Sequence, residues 1–378
     1  MNSLNSVNHV DPVGRPRPRT ARRVPGALAA AAALALLAAC AGGRADAAAE
    51  RPAQVPRQVP AGTALVVADQ SQQLQTVLAA SGQDAELAAD VRYANFTGGP
   101  AILEAFRAGA ADLATVGDTP PIQALASGAD VRIVAARRSS PDASRLAVAP
   151  GAGVRTLEDL RGKRIAYAEG TAQQSIVLRA LAGASLRTSD VELVRLQLAD
   201  FPDAVRTGQV DVAVLGEPNL TRFLDAAPGG SALPVEETAG TATGLSYLYA
   251  RGEALDDPAT SAAIADYATR WVAAWQWVNG HREEWVQRYY VENQDVSAED
   301  GRRIVETGGT ITFPPLDEDL VAVQQSTIDT IAAAGELPVD DLDARDGFDL
   351  RYAPVAADAV AAAAGLAEPV PAPVAVTR

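Results

Sequence analysis

Two short loops carry residue types that suit ligand binding. Thr97-Gly98-Gly99-Pro100 and Gly117-Asp118-Thr119-Pro120 each follow a short β-type run and open a helix. Glycine lets the backbone approach a ligand closely, and threonine supplies a hydroxyl. Proline is tolerated in the first helical turn because the N–H that it lacks would have no partner within the helix. The free N–H groups of two helix N-termini would favour a small anion. Taken singly, each loop is equally compatible with an ordinary βα turn.

The second of these loops has an echo later in the chain. Residues 105–118 read AFRAGAADLATVGD, and residues 204–217 read AVRTGQVDVAVLGE. In both, a helix stops at glycine, a strand follows, and the strand ends at a Gly-acid pair. The echo predicts two related lobes facing each other across a cleft, with Asp118 and Glu217 on opposite walls. Alternatively, the echo reflects only the ordinary sequence pattern of strand–loop–helix units, and the two acids cap the helices that follow them instead of binding a ligand.

The elements around these loops alternate strand and helix. The strands predicted in lobe 1 include Thr63–Ala68 and Val91–Phe96, and lobe 2 includes Arg164–Ala168. This alternation predicts an α/β fold in which each lobe has a mainly parallel sheet flanked by helices. A helix over Asp257–Val278 carries two tryptophans in its apolar stripe, which favours a core role over a nucleotide platform.

The N-terminus is typical of a lipoprotein signal. Five arginines precede an apolar run over Ala27–Ala39, which is too short to span a bilayer and fits a secretory signal peptide over residues 1–39. The run ends in Leu37-Ala38-Ala39-Cys40, which resembles a bacterial lipobox and predicts lipidation at Cys40. The alternative is a plain signal peptide with an unrelated cysteine. The Ala- and Pro-rich residues 40–60 are predicted to form a flexible tether.

Composition narrows the function classes. Cys40 is the only cysteine, so no internal disulfide can form. The first 39 residues hold five arginines and one aspartate, so the net charge of −15 becomes −19 without them, which argues against nucleic acid as a partner. After the signal only His281 remains, so no Cys–His or Ser–His–Asp arrangement is available, and no metal or cofactor is predicted. We therefore predict a binding protein rather than an enzyme, with acid–base chemistry by two carboxylates as the open alternative.

Several longer segments resemble one protein family. They are FTGGPAILEAFRAGAADLATVGDTPPIQALASGADVRIVAA, then GVRTLEDLRGKRIAYAEGTAQQSIVLRAL, then GQVDVAVLGEP and GELPVDDLD. They resemble the substrate-binding lipoproteins of ABC importers, in the branch for aliphatic sulfonates, taurine and nitrate. The resemblance implies a two-lobed periplasmic-binding-protein fold of type II, with lobe 1 at residues 61–143 and 245–352 and lobe 2 at 144–244. Residues 353–378 are left as an Ala/Pro-rich tail, either an appendage or disordered.

The resemblance also implies a mode of action. The lobes would hinge near Ser139–Ala147 and Thr241–Gly244, close on a small ligand, and dock on a membrane permease. It implies a monomer that is exported and lipid-anchored on the extracytoplasmic face of the cell membrane. Its implied ligand-binding loops comprise Gln70, Ser71, Thr97, Gly98, Gly99, Asp118, Thr119, Thr171, Ala172, Gln173 and Glu217.

Within that set, the residues suggest a division of labour. The Thr97–Gly99 and Thr171–Gln173 loops would hold a sulfonate head group. Asp118 and Glu217 would accept hydrogen bonds from the amine of a ligand such as taurine. The alternatives are nitrate or another oxyanion, a thiamine precursor, a desulfinase-like enzyme of the same fold, and a ligand-sensing partner of a membrane receptor. Gly216 replaces the aromatic residue that the family often has there. Arg137-Arg138 could supply a guanidinium near the hinge, although a solvated pair is favoured.

Overall fold

A computed structural model describes residues 51–339 and 341–364. The predicted signal peptide, Cys40, the tether up to residue 50 and residues 365–378 lie outside the described residues. In the part of the chain that is described, no helix combines the length and the apolar character needed to cross a membrane.

Ten strands and twelve helices build the described chain. The strands are β1 Ala64–Asp69, β2 Asp90–Asn95, β3 Leu113–Val116, β4 Val131–Arg138, β5 Ser144–Val148, β6 Arg164–Tyr167, β7 Glu192–Arg195, β8 Val212–Gly216, β9 Ser231–Ala232 and β10 Leu245–Arg251. The helices are α1 Gln73–Ala80, α2 Gly99–Arg107, α3 Thr119–Ala126, α4 Ala172–Gly183, α5 Phe201–Arg206, α6 Asn219–Ala226, α7 Gly252–Asp256, α8 Pro258–Gly280, α9 Arg282–Trp285, α10 Ala298–Gly308, α11 Glu318–Ala333 and α12 Ala353–Ala364.

The strands form two five-stranded sheets, which define the two lobes. Lobe 1 has the strand order β2-β1-β3-β10-β4, and lobe 2 has the order β7-β6-β8-β5-β9. In lobe 1 only β10 runs against its neighbours, and in lobe 2 only β5 does. Each reversed strand is the first one after a crossover between lobes. The predicted fold class of two helix-flanked sheets is confirmed, and each sheet is parallel apart from this one strand.

Helix α8 forms the back of lobe 1. Asp257 caps its N-terminus by accepting a hydrogen bond from the Thr260 N–H at 2.8 Å. Trp271 and Trp275 on its apolar stripe are buried, as the 3.6-residue periodicity predicts. The helix packs against β1 and α12, so it joins the sheet to the last described helix.

Both ends of the described chain are more ordered than the sequence suggests. Arg51, inside the predicted tether, pairs with Asp130 and Asp256, and Val55 is buried. At the other end, residues 353–364 of the predicted tail form α12, so that part of the expectation is wrong. The physical reason is a stripe of small apolar residues at four-residue spacing, which lets α12 lie close against α8: Val355, Ala359 and Ala363.

Candidate functional site

Two cavities adjoin the cleft between the lobes. The first, named here the hinge cavity, encloses about 210 Å³ beside the crossover from β4 to β5. Its wall contains Arg137, Ser139, Ser144, Glu217, Trp275, Trp285 and Tyr290. The second, named here the amide cleft, encloses about 510 Å³. Its wall contains Gln70, Ser71, Gln72, Asn95, Phe96, Thr97, Gly98, Leu198, Ala199, Asn219, Asn293 and Gln294.

A buried arginine lines the hinge cavity. Arg137, at the end of β4, is 8% exposed, and its guanidinium carbon lies 4.0 Å from the ring centroid of Trp275. Among the described residues, no carboxylate lies within 4.0 Å of this guanidinium, and Nε is buried without a hydrogen-bond partner. Burial lowers the pKa of Arg137 to about 10, so the group is still charged at neutral pH. A buried cation of this kind is costly unless an anion joins it.

Aromatic rings build the wall beside this arginine. Trp275 meets Trp285 edge to face at 5.6 Å between ring centroids, and Trp285 stacks on Tyr289 at 4.7 Å. Tyr290 follows in a π-helical turn over Val286–Val291, a local widening of the helix that is common at functional sites. Trp275 covers the guanidinium, and Trp285 and Tyr290 continue the aromatic wall of the cavity.

Glu217 brings the second charge to the hinge cavity. It follows β8 and is half-buried, and one carboxylate oxygen accepts the Thr221 N–H at 3.1 Å in the first turn of α6. Burial raises the pKa of Glu217, and the hydrogen bonds from Thr221 oppose that shift. Arg137 and Glu217 are the two charged residues of the lining. The cavity therefore presents one cation and one carboxylate to whatever fills it.

Four of the predicted residues line the amide cleft. Ser71, Thr97 and Gly98 lie in its wall together with Gln70. The side chain of Gln70 links two loops, because its Nε2 donates to the Thr115 carbonyl at 2.9 Å and its Oε1 accepts the Gly98 N–H at 3.1 Å. Ser71 adopts a left-handed backbone with φ of 53°, a strained conformation of the kind that is frequent in ligand-binding loops.

Asp118 lies in neither cavity wall, contrary to its predicted role. It is 3% exposed, and its carboxylate pairs with Arg179 of α4 at 3.3 Å. It also accepts hydrogen bonds from the hydroxyls of Thr119, Ser175 and Thr243, at 2.9–3.2 Å. Its side chain makes no capping bond to α3, so the capping alternative is wrong for Asp118, whereas Glu217 does accept a first-turn N–H of the helix that follows it. Asp118 instead joins the two lobes.

The remaining predicted residues pack at the same junction between lobes. A Cβ on Gly99 would collide with Pro120, and a Cβ on Gly117 would lie 2.7 Å from that of Ala172. The Thr171 hydroxyl donates to the Ala168 carbonyl at 2.7 Å, while Gln173 is half-buried in the first turn of α4. Gly99 of the first loop also lies close to the Gly170 carbonyl, directly before the second loop, so in this structure the two loops expected to cradle an anion are neighbours across the lobe junction.

Arg137 is the functional candidate that the sequence analysis named but did not favour. Its signal was present, because Arg137 directly follows four apolar residues in a strand that ends at a predicted hinge. The sequence favoured a solvated Arg137-Arg138 pair. The structure corrects this, since Arg137 is buried and only Arg138 is exposed.

Comparison with known proteins shows which proteins this chain is similar to. Residues 83–229 match the NMT1/THI5-like family. A protein of Escherichia coli named for binding aliphatic sulfonates is 34% identical over 161 residues, which are 43% of this chain and 50% of that protein. A protein of Bacillus subtilis with the same name is 26% identical over 246 residues, 63% of this chain and 70% of that one. This chain resembles the sulfonate-binding proteins. The match spans half the length of the E. coli relative.

Solved structures support the resemblance at the level of the whole fold. The aliphatic sulphonate-binding protein SsuA of E. coli superposes with a TM-score of 0.65 at 26% identity, covering 77% of this chain and 99% of that one. SsuA of Xanthomonas axonopodis, bound to MOPS, gives 0.68 at 24% identity over 76% and 99%. The predicted periplasmic-binding-protein fold and the predicted resemblance are confirmed. These similar proteins are solute-binding proteins rather than enzymes, in agreement with the sequence analysis.

Proposed function

We propose that this protein captures a small sulfonate-type anion or zwitterion and delivers it to the permease of an ABC importer. The observation that carries the proposal is Arg137, a buried cation at a cavity between lobes with no anionic partner among the described residues. An arginine presents several N–H donors in a fixed plane, which matches the oxygens of a sulfonate. The names of the similar proteins support the same ligand class.

Glu217 extends the proposal to zwitterions. Because the hinge cavity holds one carboxylate besides Arg137, an aminosulfonate can satisfy both charges at once. A volume of about 210 Å³ fits a molecule of taurine size and excludes long-chain ligands from this cavity alone. Gln70, Ser71, Thr97 and Gly98 remain proposed ligand contacts in the adjoining cleft. Apart from Glu217, the other predicted residues are proposed to contribute to closure of the lobes.

We propose a location and partners on the basis of the sequence and the resemblance. The exported protein works on the extracytoplasmic face of the membrane, held there by lipid at Cys40, and it acts as a monomer. Its closed form docks on the membrane permease.

A ligand panel with one variant and a matched control tests the binding proposal. Ethanesulfonate, taurine, nitrate, sulfate and a thiamine precursor are titrated by calorimetry into the wild type, Arg137→Met and Arg138→Met. Arg138 is the exposed neighbour of Arg137 and carries the same charge, so it controls for net charge. We expect sulfonates to bind to the wild type and to Arg138→Met but not to Arg137→Met. Equal affinity in both variants would refute the site, and binding of nitrate or sulfate alone would refute the ligand class.

A further inference from the structure

The hinge cavity and the amide cleft are neighbours that share the same chain segments. Three separate segments each give one residue to the hinge cavity and another, one to three positions away, to the amide cleft. A molecule anchored at Arg137 that is longer than the hinge cavity therefore has the amide cleft as its next space. The shared pairs are Gln73 and Gln72, Glu217 and Asn219, and Tyr290 and Asn293.

The lining of the amide cleft is polar but carries no ionisable side chain. Six carboxamides dominate it, and two hydroxyls, from Ser71 and Thr97, add to them. Each carboxamide offers both donors and an acceptor, the combination that pairs with a hydroxyl group. The six carboxamides are Gln70, Gln72, Asn95, Asn219, Asn293 and Gln294.

Part of this hydrogen-bonding capacity is unused within the described chain. The Asn95 Oδ1 accepts the Gln72 N–H at 3.0 Å, and the Asn219 Oδ1 accepts from Arg222 at 3.3 Å. The amide NH₂ groups of both asparagines and the hydroxyl of Thr97 make no hydrogen bond to another described residue. Because Asn95 belongs to lobe 1 and Asn219 to lobe 2, a molecule that bonds to both also bridges the lobes.

This chemistry decides between two kinds of ligand tail. An alkyl tail in the amide cleft would displace water from the carboxamides without replacing its hydrogen bonds, which loses affinity. A tail with hydroxyl groups replaces those bonds. Because the lining carries no charged side chain, a second acidic or basic group on the ligand would find no ionic partner in the amide cleft.

We propose that the amide cleft receives a neutral, hydroxyl-bearing tail of a ligand whose sulfonate head is held in the hinge cavity. The proposal rests on the proposed function, because it takes the sulfonate at Arg137 as given. It makes hydroxylated sulfonates, rather than plain alkanesulfonates, the preferred ligands of this protein.

Matched ligands test the tail separately from the head. The full chain is titrated by calorimetry with ethanesulfonate, propanesulfonate and 2,3-dihydroxypropanesulfonate, which differ only in the tail. We expect the diol to bind about tenfold more tightly than propanesulfonate, as two added hydrogen bonds imply. Thr97→Val and Asn219→Ala are expected to bring this ratio towards one. Gln209→Ala, an exposed carboxamide outside both cavity walls, keeps the ratio.

The outcomes separate the two proposals. If ethanesulfonate binds but the diol has no advantage over propanesulfonate, the tail assignment is overturned and the proposed function stands. If the diol advantage is present but Gln209→Ala reduces it as much as Thr97→Val does, the amide cleft is not its origin. If no sulfonate binds, the proposed function fails and the tail assignment fails with it. Melting curves for each variant confirm that the comparison is between folded proteins.

Discussion

Replacing Arg137 with methionine is expected to stabilise the unliganded protein while it removes sulfonate binding. Most binding-site substitutions at buried positions lower stability or leave it unchanged. Here the expected sign is opposite, because the guanidinium is 8% exposed and no carboxylate among the described residues compensates its charge. Methionine keeps most of the side-chain length and can still contact the Trp275 ring.

The lowered pKa sets the size of the effect. A shift of the Arg137 pKa from its ordinary 12.5 to about 10 corresponds to ~3 kcal/mol lost when the charged group is buried. The contact of the guanidinium with Trp275, at 4.0 Å, recovers ~1–2 kcal/mol of that cost. We therefore expect Arg137→Met to raise the free energy of unfolding by ~1–2 kcal/mol and the melting temperature by about 2–4 °C.

The sulfonate affinity of Arg137→Met is expected to fall, although its stability rises. Removing one member of a buried charge pair costs ~2–5 kcal/mol, so sulfonate affinity is expected to fall at least about 30-fold. Thermal melting with and without ethanesulfonate measures both effects in one experiment, since ligand binding raises the melting temperature by mass action. Arg138→Met, the exposed control, is expected to leave both quantities near the wild type. A lower melting temperature for Arg137→Met with an undiminished ligand shift would refute the reasoning.

Three further predictions concern other parts of the molecule. Burial raises the pKa of Glu217, so the folded state holds this proton more tightly than the unfolded state, and its contribution to stability declines as the pH rises from about 4.5 through the raised pKa. The melting temperature of Glu217→Gln relative to wild type should therefore rise over that range, and a fall would contradict the assignment. Arg179→Met leaves Asp118 buried without its cation and is expected to cost ~3–5 kcal/mol in chemical unfolding. Adding Asp118→Asn should recover more than ~1 kcal/mol, whereas strictly additive losses would show that the two residues are not coupled. Cys40→Ala should give an unlipidated protein released from the membrane in cell fractionation, and continued anchoring would sink the lipobox assignment.

The local features of the fold could be predicted from the sequence because they depend on neighbouring residues. Strand β6 begins at Arg164 as predicted, and α8 covers the predicted helix with its tryptophan stripe inside. The Gly-acid echo indicated two related lobes because each copy ends a strand in the same way. Such features depend on a few neighbouring residues, so they can be recognised from the spacing of apolar and polar residues in the sequence.

The site was harder to predict because its charges find partners far along the chain. The sequence indicates that Asp118 is a ligand residue, because its partner Arg179 lies 61 positions later and no local pattern links the two. Whether Arg137 is solvated depends on the cover that α8 gives to β4, which no local pattern encodes. The Ala-rich segment of α12 lacks charge patterning, and its place in the core depends on its packing against α8, far away in the sequence.

Both ends of the described chain rest on lobe 1, through the Arg51 ion pairs and α12, while lobe 2 joins the rest by two crossovers. A mechanical force applied at either end of the described chain therefore acts on lobe 1. The lobe closure that the proposed function requires would then move lobe 2 without working against that force. For a sensor built from this protein, dyes placed near Arg51 and on α12 would move together and report nothing. One dye has to sit on lobe 2 for closure to become visible.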